Sequence, residues 1–146
     1  MIKLLQIWVA ALWWGSLTTI GFMVVPLLFV YLPTPAVAGN MAAKLFFAQT
    51  WVSTASTLLL LIVFKKFDNT QTNNPNSRRA VVFISTGFIL ALLSEFWISP
   101  RIVLRENLSF WHTTGSVMYF LQWLCASMSL GKLICMDQKK FGPDRY

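Results

Sequence analysis

Charge is what this sequence has least of. Only 12% of its 146 residues are charged and only five are acidic, whereas an ordinary soluble domain carries about 25% charge. Histidine and cysteine are nearly as scarce, at one and two copies. Two thiols fall short of a zinc set. Cys125 and Cys135 also stand too far apart along one apolar segment for a disulfide. A lone histidine excludes bis-histidine haem ligation within one chain, leaving His with Met, or a dimer, for any haem site. The six methionines are scattered and form no soft-metal run. GxGxxG, P-loop, GxSxG and HExxH motifs are all missing. The expectation is a non-enzymatic protein with no cofactor and no resident metal.

What the chain does have is apolar length. Hydrophobic residues make up 56% of it, and about 20 helical residues cross a hydrocarbon core. Four segments reach or approach that length, at 4–32, 41–64, 80–99 and 111–135, and only Lys44, Glu95 and Lys132 are charged inside them, apart from His112. A soluble globule of this size could not hide so much apolar surface. The reading is all-α: one domain over residues 1–146, folded as a four-helix transmembrane bundle. The opening MIKLLQIWVAALWWGS imitates a signal peptide, but the apolar run continues through PLLFVYL, which reads as an uncleaved first span.

Polar segments punctuate the spans. LPTPAVAGN at 32–40 reads as a turn, while KKFDNTQTNNPNSRR and MDQKKFGPDRY read as a loop and a tail. Pro26 offers a bend in the first span, and Pro100 closes the third. No internal repeat is expected.

The placement of basic residues orients the bundle. One side holds Lys3, Lys65, Lys66, Arg78, Arg79, Lys132, Lys139, Lys140 and Arg145; the other holds Lys44, Arg101 and Arg105. Basic residues near span ends favour the cytoplasm, so both termini are expected there. Their attraction to anionic headgroups accounts for the net charge of +7 without nucleic acid. The partners expected are the lipid bilayer and other membrane protein subunits.

Helix seams in membranes are marked by small and polar residues. Ala11, Gly15 and Thr19 share one stripe of the first span; Gly87 and Ala91 mark the third, and Gly115 the fourth. Gln49, Glu95, His112 and Tyr119 all fall in the outer half, with Arg101 and Arg105 just above, so a polar pocket is expected. An ionised group at mid-membrane costs about 2.5–3.5 kcal/mol on insertion scales, which favours a paired Glu95. Two readings follow. The carboxylate either locks the third span to the fourth through Arg101, Arg105 or His112, or serves with His112 as a cation or proton site.

Trp14-Gly15, Pro26 followed by Phe29, and Leu45-Phe46 resemble the first half of the transmembrane protein 205-like family. Pro100-Arg101, then Phe110, His112 and Ser116, resemble its second half, although Phe110-Trp111-His112 is one residue tighter than the family pattern. The resemblance spans roughly 5–135. It implies small four-helix proteins of unknown function and, for a chain this compact, a bacterial inner (plasma) membrane. The function expected is that of a small accessory or interaction subunit of a larger membrane complex. The alternatives are a small transporter or ion-binding protein using Glu95 and His112, and a haem- or copper-handling protein.

Overall fold

In the computed structural model the described residues are 2–67, 75–104 and 107–138; they form four long helices and no strand. Helix α1 covers Ile2–Tyr31, α2 Pro35–Phe67, α3 Pro75–Val103 and α4 Leu108–Gln138. Each is long and apolar enough to cross a membrane, over Ile2–Tyr31, Pro35–Lys66, Ser77–Ile102 and Ser109–Met136. A hydrocarbon core offers no water to unpaired backbone groups, so a helix that pairs its own is the structure such a sequence adopts there. Each helix packs against the next, and α4 returns to α1, closing a four-membered ring. The ring has two ends: a terminal end, where α1 begins and α4 finishes, and a turn end, carrying residues 32–34, Leu104 and Asn107.

The prolines act differently from the sequence expectation. The turn expected over 32–40 shrinks to Leu32, Pro33 and Thr34, and α2 begins at Pro35. Proline suits the first helical position, where no N–H is needed. Thr34 caps the turn by accepting the Val37 N–H at 3.3 Å on its Oγ1.

Pro26 and Pro100 do not end their helices. Each follows a five-residue π-helical segment, Ile20–Val24 in α1 and Ser94–Ile98 in α3, after which the α-helix resumes. A proline ring collides with the carbonyl four residues back, here Phe22 or Phe96, and a widened turn accommodates it. The sequences match as well: Phe22-Met-Val-Val-Pro26 and Phe96-Trp-Ile-Ser-Pro100 share a Phe-x-aliphatic-x-Pro pattern. The two sites share a short local motif, and α3 runs past Pro100 to Val103.

The core lies toward the terminal end. Ala10, Trp13 and Leu17 of α1 meet Leu60 and Phe64 of α2, Ala80 and Ile84 of α3, and Ala126 and Leu133 of α4. Trp13 is its centrepiece, a fully buried indole. A Cβ placed on Gly87 would lie 2.5 Å from Trp13 Cη2 and 2.7 Å from its Cζ2, so this close approach requires the bare glycine. The core-facing stripe of α1 is thus Gln6, Ala10, Trp13 and Leu17. Of the stripe expected from small residues, Ala11 and Gly15 are half-buried beside it and Thr19 is exposed. The small residues that permit close packing sit on the opposing helices, at Gly87, Ala91 and Ala126, while α1 supplies bulk.

Candidate functional site

The five residues expected to form one outer pocket divide into two groups. Gln49 and Tyr119 lie among the helices and act as interhelical ties. Gln49 Nε2 donates to Ser16 Oγ at 3.0 Å and to Ser53 Oγ at 3.2 Å. Tyr119 Oη donates to the Leu17 carbonyl at 2.8 Å. Tyr119 also sets its ring edge-on to Phe46, with centroids 5.1 Å apart, and lies directly against Gly21. One turn deeper, Trp123 Nε1 donates to Thr18 Oγ1 at 2.9 Å. Three consecutive residues of α1, Ser16 to Thr18, thereby fasten it to α2 on one side and α4 on the other. Such bonds hold helices together where the hydrophobic effect does not.

This layer is not fully satisfied. Trp13 Nε1, Gln49 Oε1 and Gln122 Nε2 are buried without a hydrogen-bond partner among the described residues. Ser16, Thr18, Trp13 and Trp123 escaped the sequence reading. The available signal was the run of hydroxyls Ser16, Thr18 and Thr19 within a largely apolar span.

Glu95, Arg101 and His112 sit at the turn end, on or near the outer surface. Glu95 lies within the π-helical segment of α3, half-buried. Among the described residues it makes no ion pair or hydrogen bond, and it does not meet His112. His112 is exposed in the first turns of α4, where its carbonyl accepts a bond from Ser116 Oγ at 2.9 Å. Arg101 places its guanidinium 4.4 Å from the ring centre of Trp111 and 5.1 Å from that of Trp97. Both are within cation–π range. Arg105, the other cation considered for Glu95, lies outside the described residues. Gly115 packs in ordinary contact on Ile98 and Ile102, closing α4 against α3 at this level.

Chemically, the turn end offers a carboxylate with no partner among the described residues and a cation held by two indoles. Around them the surface is aromatic: Phe96, Trp97 and Phe110 are all more than half exposed. Among the described residues no group of three or more His, Cys, Asp or Glu side chains could hold a metal ion.

Outward-facing Trp8, Leu12, Trp51, Ile62, Val82 and Ile89 continue an apolar surface around the bundle, far more than a water-soluble monomer exposes. Four such helices with this girdle define a multi-pass membrane protein. The chain belongs to the DUF4149 family, a domain of unknown function, whose model matches residues 8–107. That match takes in nearly all of α1, the whole of α2 and α3, and the turn that follows, including Glu95 and Arg101. No curated protein and no solved structure matches the chain.

Proposed function

We propose that the protein is a non-catalytic interaction subunit of a larger membrane assembly, with Glu95 at the contact. One observation carries this reading: a carboxylate inside a membrane-length helix, half-buried, with no partner among the described residues. Ionisable groups within spans face a bundle interior or a partner, because lipid solvates them poorly. A cation, or a proton donor, from a neighbouring subunit would complete Glu95. The exposed Phe96 and Trp97 beside it supply area for such a contact. The distribution of basic residues supports cytoplasmic termini. The inner-membrane location, and a kinship to transmembrane protein 205-like proteins, rest on the resemblance at Trp14-Gly15, Pro100-Arg101 and His112.

The test is native mass spectrometry of the tagged protein, extracted gently at native expression. The proposal expects a reproducible heavier assembly that Glu95→Gln dissolves while the protein accumulates normally. A bare monomer in both samples would overturn it.

The π-helical segment around Glu95 favours a second reading, since such segments recur at functional sites. In that reading Glu95 binds or relays a cation or proton for a small transporter. Ion flux in proteoliposomes of the purified protein alone, abolished by Glu95→Gln, would select it over the first.

A further inference from the structure

Arg101 poses a question of its own, independent of Glu95. Its guanidinium carbon lies over the rings of Trp97 and Trp111, 5.1 Å and 4.4 Å from their centres, yet among the described residues it has neither a carboxylate nor any hydrogen-bond acceptor. A guanidinium carries five N–H donors in a planar fork, arranged around its edge and not on its faces. Two indole rings against the cation hold it in place, and neither offers an oxygen acceptor to those N–H groups. A fork so fixed matches two oxygens of a phosphate, which it binds bidentately.

Next to it, the surface between α3 and α4 is recessed. The recess has a volume of about 340 Å³ and is lined by Leu93, Trp97, Ile98, Trp111, Thr114 and Met118. Trp97 and Trp111 are thus shared: they clamp the cation and also wall the recess. The lining is apolar apart from Thr114, whose hydroxyl is turned inward to the Phe110 carbonyl at 2.9 Å. An apolar recess with a fixed cation at its rim, on the outer surface of a membrane helix pair, suits an amphiphile with an anionic head. Tryptophans prefer the headgroup level, which puts Arg101 at the depth of lipid phosphates.

We propose that Trp97, Arg101 and Trp111 form a binding site for one anionic phospholipid, with its phosphate on the Arg101 edge and an acyl chain in the recess between α3 and α4. Arg101 supplies charge and geometry, and Trp111 positions it. The lipid bridges α3 and α4 beside the Gly115 contact.

The experiment is native mass spectrometry of the full chain, delipidated in detergent and titrated with phosphatidylglycerol or phosphatidylcholine. The expected result is one phosphatidylglycerol retained per chain, in preference to phosphatidylcholine. Arg101→Gln should weaken that binding by about tenfold or more, the worth of a charge-assisted bidentate contact. Trp111→Leu should weaken it less, because the charge remains but is no longer held. Arg79→Gln, an exposed cation at the terminal end, should leave it unchanged. Circular dichroism of each variant separates lost binding from lost folding, and Arg101→Lys, which keeps the charge without the fork, gives a second folded comparison. Equal retention of the two lipids, undiminished binding by Arg101→Gln, or equal loss in Arg79→Gln would overturn the proposal. So would binding of inorganic phosphate without lipid.

Discussion

The two halves of the bundle are built differently. Toward the terminal end, all four helices contribute to one continuous core around Trp13, and the Gln49–Ser16 and Trp123–Thr18 bonds tie neighbouring helices together. Toward the turn end, the Ile20–Val24 and Val25–Tyr31 segments of α1 bury no residue at all. Both π-helical segments lie there, as do Glu95, Arg101 and His112 and the exposed Phe96, Trp97 and Phe110. One half is sealed by its own side chains, whereas the other leaves its chemistry facing outward. The proposal assigns stability to the first half and recognition to the second.

Substitutions can break that division if it is mistaken. The largest effect is expected from Trp13→Ala, which empties the centre of the core and should destabilise by about 3–5 kcal/mol, the range for large aromatic truncations. Trp8→Ala, on the outward face, should change the melting temperature in detergent little. Next, Gly87→Val should cost about 1–3 kcal/mol by forcing Trp13 aside. Gly15→Ala should cost nothing, because a Cβ there meets no atom within 4 Å. If the two glycine variants melted alike, the Trp13–Gly87 packing would not organise the core.

Smaller effects sharpen the comparison. Tyr119→Phe removes the bond to the Leu17 carbonyl and should cost about 0.6 kcal/mol, typical of interhelical bonds in membranes. Gln122→Met should be neutral or slightly stabilising in the same melt. It removes a buried amide nitrogen that has no partner, and such unsatisfied groups are themselves costly. A marked loss of stability in Gln122→Met would mean that this nitrogen is engaged.

The four spans and the all-helical class were legible because hydrophobic length is summed over some twenty residues, and no single contact can overturn such a sum. Local detail was less legible. Small residues were read as marking the seam of their own helix, yet α1 packs by inserting a tryptophan into glycine and alanine on other helices. Which partner supplies bulk is a property of the pair, and one strand of sequence does not display it. Pro100 was read as a terminator because a proline removes an α-helical hydrogen bond. The repeated Phe-x-aliphatic-x-Pro pattern was the available clue that both prolines share a different solution. For the candidate site, depth along each span was readable but rotation about each helix was not. Gln49 and Tyr119 turned inward to α1, Glu95 and His112 did not meet, and Arg101 found tryptophans.

The proposed function requires that the turn end meet another protein through Glu95. A photo-crosslinking residue introduced at Phe96, which is 73% exposed beside Glu95, tests it against one at Ile62, which is 60% exposed on the lipid-facing surface of the other half. Irradiation in native membranes should yield a discrete cross-linked species from position 96 and none from position 62, and Glu95→Gln should abolish it. Equal products from both positions, or a position-96 product indifferent to Glu95→Gln, would contradict the account.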